Sequence, residues 1–301
     1  MISFADSGGG AGPQRVPLAD EMRDLFSEDG LLSHSPDFEY RPEQQRMACR
    51  VAGALEGGSA LVVEAGTGVG KSLAYLAPAA RFAAEFERKA LLCTHTINLQ
   101  EQLLHTDIPI IQKLYRADDI RAVLLKGRRN YVCPNRLRRA MEGANDLFTS
   151  SEIAELKQIW DWAEETRDGT LSDLPFSPTP KVWAQVCSEP HVCTQRFCAH
   201  TGRCFYQEVR KRIADADLVV LNHTLFFTLL SSGEEGAEGR EGFIFPNDFA
   251  IFDEAHTLEN IAARQLGLGI SNVGLRMDIQ RLYNPRSKKG LLPEAPQRAT
   301  A

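Results

Sequence analysis

The sequence lacks any apolar run approaching the roughly 20 residues that a bilayer-spanning helix requires. Its N-terminus, MISFADSGGGAGPQRVP, has no basic start followed by an apolar stretch, so it does not read as a secretory signal. The chain is therefore expected to be cytoplasmic, and its seven cysteines reduced rather than a disulfide framework. No two of them have the two-residue spacing of a tight zinc-ribbon pair. Basic charge is not in excess: the net charge of −6 argues weakly against a polyanionic partner, although distribution matters more than the sum. Internal repeats are absent. What is present is ordinary for a globular protein: 43% hydrophobic and 25% charged residues in a chain of 301, enough for one large core or two domains.

Short apolar runs alternate with longer helical patterns. Ala60–Val63, Ala90–Thr94, Ala122–Leu125, Leu218–Leu221 and Phe249–Phe252 are rich in Val, Leu, Ile or Phe without polar alternation. Strands buried on both faces read that way, which predicts a parallel sheet flanked by helices in an α/β fold. Ser72–Arg88 is Ala- and Leu-rich and predicts a helix, with Pro78 kinking it or lying near its first turn. The stretch from about Arg128 to Phe205 does not fit this alternation and reads as an insertion. Within it Thr149 and Glu152 have capping-box spacing, and Ile153, Leu156, Trp160 and Ala163 follow at helical period. Leu174–Pro180 breaks regular structure. Ser231–Gly242 reads as a disordered loop, and the glycine-rich N-terminus as a mobile tail.

Residues 60–72, ALVVEAGTGVGKS, lead an apolar strand through a glycine-rich turn into a helix, the context a phosphate-binding loop needs. Glycines let the backbone N–H groups of Ala65, Gly66, Thr67, Gly68, Val69 and Gly70 turn toward phosphates, and the helix N-terminus adds its dipole. Lys71 is placed to reach the β- and γ-phosphates and Ser72 to ligate Mg²⁺. Ala65 stands where the common pattern has Gly. Further on, Phe249–Phe252 ends in Asp253-Glu254-Ala255-His256. Acids at the C-terminal end of a strand lie where α/β sheets bind ligands. Asp253 can then hold the Mg²⁺ water shell and Glu254 orient and deprotonate an attacking water, making Lys71, Asp253 and Glu254 the catalytic set. Either motif alone has a bland reading, the acids as partners of a helix dipole; both in one chain point to ATP with Mg²⁺.

Between Arg121 and Arg139 the chain carries Arg121, Lys126, Arg128, Arg129, Arg136, Arg138 and Arg139 and no acid. Such a segment can contact a phosphate backbone inside an acidic protein, or it can be a solvated face. Cys187, Cys193, Cys198 and Cys204 cluster, with Cys133 upstream. That clustering suggests a metal site, zinc being one candidate. Cys187 breaks the spacing of four and five residues shared by the other three. Cys49 and Cys93 lie in apolar runs and read as core residues.

The Asp-Glu-Ala-His sequence after GTGVGKS resembles superfamily 2 helicases. Tyr40-Arg41-Pro42-Glu43-Gln44 is similar to the adenine-recognition element of that family, which implies Gln44, assisted by Arg41, at the base. Residues 94–100, THTINLQ, resemble its single-strand contact motif, which implies Thr94, Thr96 and Gln100 at DNA. Residues 218–223, LVVLNH, resemble a segment preceding the DEAH strand; His223 is there either for function or simply to close a strand end. Residues 126–133, KGRRNYVC, and the exit Cys204-Phe205-Tyr206 resemble the iron–sulfur domain of DinG and XPD-like helicases. The resemblance covers about Tyr40 to Arg281. It implies one 4Fe-4S cluster on Cys133, Cys193, Cys198 and Cys204, with Arg128, Arg129, Arg136, Arg138 and Arg139 near single-stranded DNA.

The resulting expectation is a RecA-like P-loop domain interrupted by a mostly helical iron–sulfur insertion. Residues 1–19 are tail, 20–125 and 207–275 the two parts of the motor domain, 126–206 the insertion, and 276–301 a tail or the start of an arch-like region. The residues after His256 are too few for another α/β domain, so the chain is expected to be a fragment or an incomplete product. The resemblance implies a 5′→3′ DNA helicase whose second motor domain, or a separate chain, supplies the arginine finger. On its own the chain is expected to bind ATP weakly, hydrolyse it negligibly and not unwind DNA. The rival expectation is a non-catalytic module that binds nucleotide and DNA.

Overall fold

The computed structural model describes residues 15–35, 38–115, 120–189, 193, 203–232 and 248–267, with isolated residues between 272 and 283. Strands β1 (Ala90–Thr94), β2 (Ala122–Leu124), β3 (Leu218–Asn222) and β4 (Phe249–Phe252) form one parallel sheet in the order β2-β3-β1-β4. Side chains alternate between its faces. Ala90, Leu92, Leu218 and Val220 enter one core, while Leu91, Cys93, Val219 and Leu221 enter the other. Two-sided burial is the reason β1 and β3 read as unbroken apolar runs.

On the first face lie α1 (Leu18–Leu25), α2 (Pro42–Glu56), α3 (Lys71–Phe86) and, after α4 (Ile97–Gln102), α5 (Ile108–Tyr115). The buried alanines of α3, among them Ala77, Ala79, Ala80 and Ala83, let backbones approach closely. Pro78 sits inside α3, beyond its first turn, and the helix continues past it. Pro42 occupies the first turn of α2, where its missing N–H costs nothing. Helix α1 begins at Leu18, within the stretch expected to be tail; residues 1–14 lie outside the described part.

The second face is covered by the segment that the sequence marks as an insertion. It contains α6 (Pro134–Glu142), α7 (Ala144–Leu147), α8 (Ser150–Glu165) and α9 (Pro180–Val186). Tyr131, Leu137, Leu156, Ile159 and Val186 share one core with Leu91, Val219 and Leu221, so the insertion is continuous with the sheet's own packing. The capping box of α8 forms as expected: Glu152 N donates to Thr149 Oγ1 at 3.5 Å and Thr149 N to Glu152 Oε2 at 2.8 Å. The chain returns through α10 (Phe205–Ala214), β3, α11 (His223–Ser232), β4 and α12 (Leu258–Leu266). Helix α11 includes Ser231 and Ser232, which the sequence assigns to a loop; residues 233–242 of that loop lie outside the described part. None of the helices among the described residues is long and apolar enough to cross a membrane.

One expected strand does not form. Ala60–Val63 has no partner among the described strands, and Leu61, Val62 and Val63 are 42%, 95% and 41% exposed. An apolar segment becomes a strand only when neighbours take its N–H and C=O groups. Here β4 is the edge of the sheet.

The insertion is tied to the sheet by charge as well as packing. The Lys126 side chain, only 7% exposed, meets Glu101 of α4 at 2.6 Å and also donates to the Ser172 hydroxyl. Burial alone pushes the Glu101 carboxyl up, but the hydrogen bond and charge of Lys126 outweigh it and hold the group below the usual range. Removing one partner of such a pair strands the other charge. Glu101→Gln is expected to lower stability by about 1–2 kcal/mol in urea unfolding, and adding Lys126→Met to recover most of it. Equal stability of the single variant and the parent chain would show that the pair carries no such role.

Candidate functional site

The loop between Ala60 and α3 turns on two glycines in the left-handed region, Gly68 at φ 81° and Gly70 at φ 79°. Gly66, Thr67 and Gly68 face solvent, whereas Ala65, Val69 and Gly70 are half-buried. Lys71 and Ser72 open α3, and Lys71 Nζ lies 3.4 Å from the Ala65 carbonyl, curled back over the loop. Both residues expected at the base are fastened to this loop from below. Gln44, 5% exposed, donates from Nε2 to the Gly70 carbonyl at 3.0 Å, and Arg41 donates to the Gly68 carbonyl. Gly70 is favoured by its positive φ, and a Cβ there would also press on Gln44 Nε2 at 2.2 Å, displacing that side chain from its bond to the loop.

The second acidic motif lies at the C-terminal end of β4. Asp253 N donates to the Cys93 carbonyl at 2.9 Å, continuing the ladder for one residue. Asp253 Oδ1 accepts from Glu254 N at 2.9 Å, and Oδ2 accepts from the Tyr75 hydroxyl at 3.3 Å. Tyr75 is one turn beyond Ser72 on the same face of α3. The P-loop and the acidic motif, nearly two hundred residues apart in sequence, thus share one polar cluster. Its donors are hard oxygens, a hydroxyl and a carboxylate, which suit Mg²⁺. Glu254 has φ 55°, a conformation that a non-glycine residue holds at a cost of order 1–3 kcal/mol, and its carboxylate sits 3.4 Å from His256 Nδ1. Tyr75 itself was not legible as a site residue; its signal was a hydroxyl spaced i, i+3 from Ser72 in a helix otherwise Ala- and Leu-rich.

His223, fully buried, donates from Nε2 to the Cys93 carbonyl at 3.2 Å, and its Nδ1 lies 3.1 Å from Thr257 Oγ1. Burial lowers its basicity despite nearby backbone carbonyls, so it joins the end of β1 to the turn after Glu254 as a neutral ring.

Of the four expected thiol ligands, Cys133 and Cys193 come together, their sulfurs 3.6 Å apart. Burial pushes the Cys133 thiol up. Burial raises Cys193 as well, but the Glu189 N–H, Ser188, the Cys133 thiol and the Arg128 charge outweigh it and bring that thiol down. Cys204 precedes α10, and Cys198 lies outside the described residues. Among the described residues no three His, Cys, Asp or Glu side chains are grouped as a metal site. Cys187 does not join the sulfur pair. It pairs with Val132 as an isolated bridge, and its carbonyl accepts from Arg136. Cys93 is buried as expected, while Cys49 is only partly so.

The residues expected at DNA divide sharply. Thr94 and Gln100 are each 1% exposed, so neither offers a surface to a nucleic acid; Thr96 is exposed and caps α4 by accepting from Leu99 N at 3.3 Å. Arg128 donates to Ser188 Oγ at 3.2 Å and to the Cys193 carbonyl at 2.8 Å, with its guanidinium 4.9 Å from the Tyr206 ring centre. Arg136, 12% exposed, donates to the Ala184 carbonyl at 2.8 Å and pairs with Glu189 at 3.4 Å. These two cations hold the cysteine loop in place. Arg129, Arg138 and Arg139 are exposed. The basic segment is therefore part scaffold and part surface, a division that sequence spacing does not reveal.

No family model matches the chain. It is 35% identical over 274 residues to the ATP-dependent DNA helicase YoaA of Haemophilus influenzae, covering 89% of this chain and 41% of that protein. It is 33% identical over 266 residues to the ATP-dependent helicase DinG of Mycobacterium tuberculosis, covering 82% of this chain and 39% of the relative. It is also 27% identical over 278 residues to the 3′-5′ exonuclease DinG of Bacillus subtilis, covering 92% of this chain and 29% of the relative. The chain thus spans about two fifths or less of the curated relatives it matches.

The glycine–glutamine contact gives a direct test of the loop geometry. Gly70→Ala forces a Cβ against Gln44 at positive φ and is expected to lower stability by about 1–2 kcal/mol and to weaken nucleotide binding. Gln44→Ala in the same chain relieves the clash but not the φ strain. Thermal unfolding of the double variant should therefore recover only part of the loss; complete recovery would mean that φ imposes no constraint there.

Proposed function

We propose that this chain, homologous over most of its length to the YoaA and DinG ATP-dependent DNA helicases, is the ATP-binding and DNA-contacting part of a motor of that kind. The observation that carries the reading is the single cluster formed by Ser72, Tyr75 and Asp253, with Lys71 at the same helix start. Backbone N–H groups of Ala65–Gly70 and the ammonium of Lys71 bind the phosphates. Ser72 and Asp253 hold Mg²⁺, which when bound neutralises charge on the β- and γ-phosphates. Glu254, beyond Asp253, orients the attacking water and takes its proton. Gln44 and Arg41 set the shape of the loop from beneath, and through it the approach of the base. The opposite wall of the cleft, with its arginine finger, comes from a second motor domain in the same polypeptide or in another chain.

Cys133, Cys193, Cys198 and Cys204 hold a 4Fe-4S cluster in this reading. The close thiol pair supports a soft-metal site, and four thiolates are the usual complement for such a cluster. A cluster there pins the first turn of α6 to the loop before α10 and so fixes the edge on which Arg129, Arg138 and Arg139 stand. Those three arginines, with Thr96, contact the phosphates of single-stranded DNA.

Two outcomes are expected. Chain purified without oxygen should carry about four irons and absorb as an iron–sulfur protein. Cys198→Ser should lose that iron and Cys187→Ser keep it; zinc in place of iron and sulfide would remove the cluster from the reading. The second outcome concerns binding. Affinity for single-stranded DNA should fall steeply with salt, and replacing Arg129, Arg138 and Arg139 by Ala should lower the slope of log affinity against log salt by up to about 2, roughly 0.7 for each contact. Lys71→Ala should abolish ATP binding and leave DNA affinity unchanged. An unaltered salt slope in the triple variant would place the DNA contacts elsewhere.

A further inference from the structure

One carboxylate at the P-loop belongs to neither nucleotide motif. Asp107 ends a π-helical turn, Leu103–Asp107, between α4 and α5. Such a turn holds an extra residue and re-aims the side chains around it, and it recurs at functional positions. Here the turn packs against α3, the helix that Ser72 opens, and sets the Asp107 carboxylate beside the Ser72 hydroxyl. Its Oδ2 is buried without any protein partner. Tyr75 Oη is 3.3 Å from Asp253 Oδ2. Buried polar atoms are almost always hydrogen-bonded, and one that is not calls for a user. Water in the shell of a divalent cation beside Ser72 would give Oδ2 its missing donor.

We propose that Asp107 is a positioning residue of the Mg²⁺ centre. One oxygen accepts a hydrogen bond from the Ser72 hydroxyl, leaving the serine lone pairs for the metal, and Oδ2 accepts a hydrogen bond from metal-bound water. The proposal rests on the nucleotide reading above, in which Ser72 and Asp253 hold the metal. Metal ligands are commonly oriented by an outer carboxylate in this manner, and losing that carboxylate weakens the metal more than it weakens the fold.

The test separates metal from nucleotide. A fluorescent ATP analogue is titrated into the chain and into Asp107→Asn, in excess Mg²⁺ and again in EDTA, with Mn²⁺ binding followed by electron paramagnetic resonance. The variant is expected to lose about tenfold in affinity with Mg²⁺ and in Mn²⁺ binding, with its affinity in EDTA within about twofold of the parent. Its thermal midpoint should equal or exceed the parent's, because a neutral amide replaces a buried carboxylate that lacks a full set of donors. Asp107→Ala serves the same comparison if the amide disturbs folding. Unchanged Mg²⁺ and Mn²⁺ affinities in the variants, or a lowered midpoint with intact metal dependence, overturn the proposal and leave Asp107 as an anchor of α3. Absence of Mg²⁺-dependent nucleotide binding by the parent chain overturns the nucleotide reading along with it.

Discussion

The structure depends on burial of β1 and β3 from both sides. Their alternate side chains feed two separate cores, and each core gathers a different part of the chain. The first collects the helices that carry the P-loop; the second collects the segment that carries the cysteines. Because each strand is only five residues long, neither core has an independent sheet of its own. The P-loop helix and the segments that bear Cys133 and Cys187 are consequently packed on opposite faces of the same sheet.

Much of this was legible in the sequence because the relevant signals are local. The four paired strands, the capping box at Thr149 and the glycine turn before Lys71 all follow from periodicity and backbone preference. Ala60–Val63 has the composition of a strand, but composition cannot supply a neighbour, and pairing is what makes a strand. The arginines show the same limit. Arg128 and Arg136 turn inward to backbone carbonyls, whereas Arg129 meets Glu189 from the surface and Arg138 bonds Asn135 on its own helix, and nothing in a run of like charges distinguishes them. Gln100 and Thr94 matched a motif in sequence yet lie under the surface. Asp107 was invisible because a π turn shifts register by one residue, which a helical period of 3.6 does not anticipate.

Arginine serves here chiefly as a structural cross-link. Its planar guanidinium can satisfy several acceptors at once, and the carbonyls of Ala184, Cys187 and Cys193 are all taken up in this way. Lysine plays the complementary part at the junction, where Lys126 is a compact charge enclosed by Glu101 and Ser172. The basic stretch thereby fastens the cysteine loop and joins it to α4, the helix that follows β1. Any displacement of α4 is felt by the insertion through that ion pair.

The extended run Leu61-Val62-Val63 also bears on how the protein behaves at high concentration. Three apolar side chains face the solvent, and among the described strands the outer strand β4 has one open edge. Both are sticky in the manner of fibril-forming segments, able to recruit any passing extended chain. The charged loop residues nearby, Glu64 before the glycine turn and Asp248 before β4, act as gatekeepers that slow such recruitment without abolishing it. Leu61, Val62, Val63, Glu64 and Asp248 lie outside both cores, so they bear on association between chains and not on the packing of one.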